Sequence, residues 1–72
     1  MLTELRNVPD SNWVGLGSVL VGSKSYAVSG NVLCYNLDSQ SWVTLEQALA
    51  YANTANLYAK DGVVHIVEVR HS

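Results

Sequence analysis

Small apolar residues recur at helical spacing between positions 45 and 59, and this pattern is the clearest one in the chain. Thr44 and Gln47 stand where a capping box requires them, because the Thr44 hydroxyl can accept from the backbone N–H of Gln47 while the Gln47 side chain reaches back. The spacing therefore predicts one helix that begins at Thr44. We expect its C-terminal half to fray after about Tyr58, with Gly62 as the terminator.

Short apolar stretches in the first half of the chain predict a strand meander. Ser18-Val19-Leu20-Val21 and Ser25-Tyr26-Ala27-Val28 flank Gly22-Ser23-Lys24, a glycine-containing loop of the kind that closes a hairpin. Gly30-Asn31 then separates the second stretch from Val32-Leu33-Cys34-Tyr35 and predicts a two-residue turn. In that register Tyr26 lies opposite Tyr35 as a cross-strand aromatic pair, and either face of the sheet could be the core.

The segment 63–70 predicts a closing strand. It is apolar on both faces at its start, which is typical of a strand inside a sheet. The fold class that we predict is α+β: a small antiparallel sheet, made of a three-strand meander plus the C-terminal strand, packed on one helix. Residues 1–72 form a single domain in this interpretation, because a chain of this length supports one core.

Residues 1–12 are interpreted as an N-terminal arm, whose conformation the sequence leaves open. Apolar residues recur there at a spacing that allows one helical turn, but Pro9-Asp10-Ser11-Asn12 stops it. An arm of this kind either contacts a partner or covers one open end of the core. The partner-contact residues that we predict in the arm and at its junction are Leu2, Leu5, Arg6 and Trp13.

The composition indicates more apolar surface than one small core needs. Hydrophobic residues make up 49% of the chain and charged residues 14%, against roughly 25% charged in an ordinary soluble domain. Either serine and asparagine solubilise the surface, or an apolar face serves a homodimer or another partner. The formal net charge is −2 and the four basic residues are scattered, which argues against direct nucleic-acid binding.

The sequence contains no set of residues that indicates a catalytic, cofactor or metal site. Cys34 is the only cysteine and lies in an apolar run, so it is expected to be a small buried hydrophobe in a reducing compartment. His65 and His71 are too far apart along a strand to share a metal. We therefore expect no enzyme, cofactor or metal. Without a leader or a long apolar segment, a cytoplasmic protein with no membrane contact is expected.

Every aromatic ring in the chain carries a polar group, because phenylalanine is absent. Tyrosine and tryptophan are enriched at protein interfaces, although a small domain also leaves the edges of large rings exposed. The aromatic residues are Trp13, Trp42 and four tyrosines, and those that we select for partner binding in addition to Trp13 are Tyr26, Tyr35, Tyr51 and Tyr58.

From Asn31 to the C-terminus, the layout resembles that of very small phage-encoded proteins. It consists of a strand, a turn, the Thr44-Leu45-Glu46-Gln47-Ala48-Leu49 helix and the strand from Val63 to Val69. Such proteins include inhibitors of the host RNA polymerase and some anti-CRISPR proteins. The resemblance implies a stand-alone, non-catalytic domain that binds a larger bacterial protein or complex in the host cytoplasm and blocks it. The alternative is a self-associating structural or accessory subunit, active as a homodimer.

Overall fold

The computed structural model describes residues 2–71 and shows a mostly β protein built on one curled, mixed sheet. Within this range there is one α-helix, α1 (Leu45–Tyr51), and a 3₁₀ turn at Asp10–Asn12. The seven strands of the described chain are β1 (Leu2–Pro9), β2 (Trp13–Val14), β3 (Ser18–Val21), β4 (Lys24–Asn36), β5 (Ser41–Val43), β6 (Thr54–Lys60) and β7 (Val63–Arg70).

The strand order is β1-β6-β7-β4-β3-β2, and β5 pairs with the end of β4. The β4–β7 pair is parallel, whereas the other pairs are antiparallel. The predicted α+β fold, with a three-strand meander and a closing strand packed on a helix, is therefore wrong. Two local predictions led to this fold and are wrong: the turn at Gly30-Asn31 and the continuation of the helix beyond Tyr51.

Strand β4 runs straight through Gly30-Asn31, where we predicted a hairpin turn. Between the Val28–Val64 and Leu33–Ile66 pairs, β4 contains three more residues than β7, and these residues form an irregularity in the pairing. Because the chain does not reverse, Tyr26 and Tyr35 lie on the same strand, and their predicted cross-strand pairing is wrong. Tyr26 is buried in the core, whereas Tyr35 packs against Trp42 of β5.

The helix begins as predicted but is much shorter. Both capping-box hydrogen bonds between Thr44 and Gln47 are present, at 3.1 Å each, so the predicted helix start is confirmed. The helix ends at Tyr51, and β6 follows after two residues. The predicted helical stripe beyond Tyr51 is wrong, because every second residue of β6 is buried: Ala55, Leu57 and Ala59.

The turn between β6 and β7 explains why residues 54–60 form a strand although their pattern predicted a helix. Asp61 and Gly62 both have positive φ, 54° and 78°, and Lys60 pairs directly with Val63. These are the features of the primed two-residue hairpin turns that Asp-Gly favours. Gly62 therefore closes a β-hairpin and does not terminate a helix.

Other local predictions are confirmed. Strands β3 and β4 form a hairpin in which Val21 pairs with Lys24. Strand β7 covers the predicted residues and lies between β6 and β4, inside the sheet. Cys34 is buried, and burial raises the pKa of its thiol.

The core lies on the inner face of the sheet, with α1 against β4 and β7. It is thin, because the largest fully buried side chains are one leucine and four valines. The buried apolar residues are Val8, Val19, Tyr26, Cys34, Ala48, Ala52, Ala55, Leu57, Ala59, Val64, Val67 and Val69. Alanine at the helix contact permits close approach of α1, but it leaves little apolar volume to stabilise the fold.

The segment interpreted as an arm is strand β1 at one edge of the sheet. It pairs with β6 from Leu2 to Pro9, and Val8 is buried. Arg6 and Asn7 interrupt this pairing, with Asn7 at φ 56°. Residues 2–9 therefore form part of the sheet and supply one fully buried side chain, Val8, with Leu5 packed against the core.

Replacing Thr44 with alanine is expected to lower the free energy of unfolding by about 1 kcal/mol, because the capping box loses its hydroxyl acceptor. In a domain of this size the melting temperature falls by several degrees. Thermal unfolding followed by circular dichroism measures the change. The matched variant Thr44→Ser keeps the acceptor and should retain most of the stability; equal losses in the two variants would contradict a capping role.

Candidate protein interface

An uncovered row of side chains crosses the face of the sheet opposite the core. Tyr58 of β6, Ile66 of β7 and Leu33 of β4 are paired in register across three neighbouring strands. Leu33 is 54% exposed and Ile66 36% exposed. A β-bulge produces this placement, since both His65 and Ile66 face solvent between the buried Val64 and Val67.

A second row runs beside the first, one step further along the strands. Asn56, Glu68, Tyr35 and Trp42 are paired in register from β6 to β5. Trp42 is 65% exposed, and its ring meets that of Tyr35 edge-on with the centroids 5.0 Å apart. This contact orients the indole on the surface and leaves most of it open to a partner.

Polar contacts join the two rows and extend them to β1. The Tyr58 hydroxyl donates to Glu68 Oε1 at 2.6 Å, and this hydrogen bond raises the pKa of Tyr58. The backbone N–H of Asn7 donates to Asn56 Oδ1 at 3.0 Å, so the second row continues onto β1 beside Arg6.

We call this surface the outer face. Its apolar and aromatic members are Leu33, Tyr35, Trp42, Tyr58 and Ile66, and its polar members are Glu4, Arg6, Asn56 and Glu68, of which Glu68 lies on the central strand β7. Arg6 Nε lies 2.7 Å from Glu4 Oε1 on the exposed side of β1. The outer face is thus aromatic towards β5 and charged towards β1.

The structure separates the partner residues predicted from the sequence. Tyr35 and Tyr58 lie on the outer face, with Arg6 on its flank. Leu2 is exposed on β1, and Tyr51 is exposed at the end of α1. Leu5 and Trp13 pack against the core, and Tyr26 is buried in it.

The sequence interpretation missed Leu33 and Ile66, and it counted Trp42 among the aromatics without selecting it. The alternation of residues 32–35 carried the signal for Leu33, but the face could be assigned only once the strand partners were known. No local pattern distinguished the exposure of Ile66, because the bulge opposite Tyr58 and Ala59 creates it.

The sheet edges are poor sites for a partner strand. The pairing of β1 is broken at Arg6 and Asn7 and ends at Pro9, and β2 at the other edge has two residues. Bulges, proline and short edge strands are the devices that prevent strand addition. The outer face therefore offers the larger binding surface.

Away from the outer face, the described part of the chain shows no enclosed site. Within residues 2–71 there is no pocket and no grouping of metal-ligating side chains. The indole nitrogen of Trp13 is buried and has no hydrogen-bond partner in this range. Nor do these residues include a helix with the length and hydrophobicity needed to cross a membrane.

Asp38 connects the end of β7 to α1. Its Oδ2 accepts hydrogen bonds from the His71 backbone N–H and the Tyr51 hydroxyl, each at 2.8 Å. These two hydrogen bonds lower the pKa of the Asp38 carboxyl, and the bond to Asp38 raises the pKa of Tyr51. Through Asp38, Tyr51 thus helps to hold the end of α1 next to the end of β7.

The depressed pKa of Asp38 predicts a pH-dependent contribution to stability. A carboxyl whose pKa is lower in the folded state stabilises the fold above its ordinary pKa of 3.8, and this contribution is lost as the pH falls through the folded value. We expect the melting temperature of wild type to exceed that of Asp38→Asn at about pH 6, and the difference to shrink below about pH 4. Asp61→Asn controls for the loss of one negative charge; a difference that stays constant down to low pH would contradict the prediction.

Comparisons of the chain with protein-family models, curated protein sequences and solved structures found no match. The interpretation of the outer face therefore depends on its own geometry and chemistry.

Proposed function

We propose that the protein is a non-catalytic protein-binding domain whose contact surface is the outer face. The observation that supports this most directly is the uncovered row of Leu33 and Ile66 beside the exposed indole of Trp42. Exposed apolar and aromatic side chains in neighbouring positions, with polar residues beside them, match the composition of protein interfaces. Tryptophan, tyrosine and arginine are also the residues that most often dominate binding energy.

The target that we propose is a larger bacterial protein, with the host RNA polymerase as the first choice. This choice derives from the resemblance of the chain to small phage-encoded inhibitors, which act without cofactors in the host cytoplasm. The net charge of −2 favours a protein partner over a nucleic acid. Inhibition would follow from occupation of a surface that the polymerase needs.

Purified bacterial RNA polymerase provides a direct test of this function. Immobilised wild type is expected to retain the polymerase, and the free protein to reduce transcription from a linear template. Leu33→Asp and Trp42→Asp should each weaken retention at least about tenfold, because each places a charge at the contact. Leu16→Asp is the matched control, since Leu16 is an exposed leucine outside the two rows.

Each result has a definite meaning. Failure of wild type to retain the polymerase or to inhibit it would refute this target. Equal retention of the polymerase by Leu33→Asp, Trp42→Asp and Leu16→Asp would refute the outer face as the contact surface.

The second candidate function is that of a self-associating structural or accessory subunit. The thin core favours it, because a small domain with few large buried side chains commonly gains stability from oligomerisation.

A further inference from the structure

We infer that the partner of the outer face contacts it with an arginine side chain, which pairs with the carboxylate of Glu68 and lies against the ring of Tyr35. The inference rests on the proposed function, because it names the chemistry that a protein covering this face has to supply. It applies to the polymerase and equally to any other protein partner.

Glu68 lies in the middle of the outer face. Its strand, β7, is inside the sheet, and Glu68 is paired with Asn56 of β6 on one side and with Tyr35 of β4 on the other. Because the sheet curls around the core, its interior strands lie at the crest of the outer side. A protein that binds this face therefore covers Glu68 before it reaches either edge of the sheet.

Glu68 has no cation of its own within residues 2–71. In this range its side chain accepts one hydrogen bond, from the Tyr58 hydroxyl to Oε1, and the one ion pair joins Arg6 to Glu4. Arg70 follows on the same face of β7, but its guanidinium donates to a side-chain oxygen of β1 at 3.0 Å. A carboxylate can accept about four hydrogen bonds, so most of this capacity of Glu68 is left to solvent.

Binding of a partner removes that solvent from Glu68. An ionised carboxylate is costly to take out of water unless a cation and hydrogen bonds replace the water. The neighbouring row supplies neither, because Leu33 and Ile66 are apolar. The positive charge therefore has to come from the partner. A partner with an apolar or acidic group at this position is disfavoured, so Glu68 gives the outer face specificity as well as affinity.

The rings beside Glu68 favour arginine over lysine as the partner group. Tyr35 is paired with Glu68 on the next strand, at the usual spacing of about 5 Å, and the exposed indole of Trp42 lies beyond it. A guanidinium group binds a carboxylate through two parallel hydrogen bonds and can also stack on an aromatic ring, whereas a lysine ammonium is a strongly hydrated point charge. A cation within about 6 Å of such a ring gains further attraction.

Three short blocked peptides test this chemistry on the whole protein without any polymerase. Each carries one central residue between two leucines: arginine, lysine, or citrulline, which is the neutral counterpart of arginine. Chemical-shift titrations of isotope-labelled wild type measure the dissociation constants and locate the site. We expect the arginine peptide to bind at least about threefold more tightly than the citrulline peptide, with the lysine peptide between them and shift changes centred on Tyr35, Tyr58 and Glu68. Equal binding of the arginine and citrulline peptides, or no binding up to about 10 mM, would overturn the inference. A lysine peptide that binds at least as tightly as the arginine peptide would overturn the choice of arginine.

A charge-removing variant tests whether Glu68 is the group that the arginine meets. Glu68→Gln loses the charge and keeps an acceptor for the Tyr58 hydroxyl. The ratio of the citrulline and arginine dissociation constants should fall to about one in this variant, because the coupled group is gone. Glu46→Gln makes the same change on the first turn of α1 and should keep the wild-type ratio. A preference for arginine that persists in Glu68→Gln would overturn the assignment of Glu68.

The direction of the effect of Glu68→Gln on a full-sized partner is a separate measurement. A polymerase that supplies an arginine at this position is left with an unpaired charge by Glu68→Gln, so its retention should weaken at least about tenfold. A polymerase that covers Glu68 without a cation would instead be retained more strongly, because the substitution removes a buried unpaired charge. Unchanged or stronger retention of the polymerase by Glu68→Gln would overturn the inference.

These outcomes are distinguishable from a failure of the proposed function. Wild type that prefers the arginine peptide through Glu68 and never retains the polymerase would support the arginine contact and refute this target. Wild type that retains the polymerase through Leu33 and Trp42, but shows no preference for arginine over citrulline, would leave the proposed function intact and overturn the inference.

Discussion

Replacing Leu57 with alanine is expected to lower the free energy of unfolding by about 2–5 kcal/mol. Leu57 is completely buried in the middle of β6 and is the largest of the fully buried side chains. The thin core has few long side chains that could move into the cavity. Because a domain of this length has a total stability of about 4–11 kcal/mol, the variant should be partly unfolded in mild denaturant.

Urea unfolding followed by tryptophan fluorescence measures this loss. Leu20→Ala is the matched control, because Leu20 lies on β3 and is 47% exposed, and we expect it to cost less than about 1 kcal/mol. The comparison also distinguishes strand from helix, since Leu57 lies outside the predicted helical stripe, which consists of Leu45, Ala48, Leu49, Ala52, Ala55, Asn56 and Ala59. Similar losses in the two variants would contradict the β6 strand.

Deleting residues 1–9 is expected to abolish cooperative folding of the remaining chain. Strand β1 contributes the burial of Val8, worth about 1.5–3 kcal/mol, and its hydrogen bonds to β6 add further stabilisation. Without β1, the edge of β6 and the side of Leu57 are exposed to water. Circular dichroism and the dispersion of amide signals in NMR spectra measure the outcome.

A pair of point variants separates loss of the strand from loss of chain length. Val8→Asp places a charge in the core and should destabilise strongly, whereas Leu2→Asp alters a residue that is 60% exposed on the same strand. A truncated protein with an unchanged melting transition would show that β1 is dispensable for folding.

Local signals in the sequence were reliable where a few neighbouring residues decide the conformation. The capping box at Thr44 is satisfied within four residues, and the hairpin between β3 and β4 closes through a two-residue loop. The apolar run of β7 correctly predicted an interior strand, and Cys34 correctly predicted a buried thiol. In the first two cases the stabilising contacts are close in sequence. In the last two, burial follows from hydrophobicity alone.

The end of the helix was ambiguous in the sequence. Ala55 and Ala59 are four residues apart, so they satisfy a helical stripe and a strand alternation equally well. The β-sheet alternative depends on partners in β1 and β7, and β1 is about fifty positions away in the chain. The Asp61-Gly62 turn was the one local signal that favoured a strand.

The sequence by itself determined where the helix starts, which segments are apolar enough to be strands, and which thiol is buried. The tertiary structure alone decided that β4 continues through Gly30-Asn31 and that β7 joins it in parallel. Because successive side chains of a strand point to opposite faces, these pairings assign Tyr26 to the core and leave Leu33 outside. The outer face exists only through that register, which no short stretch of sequence encodes.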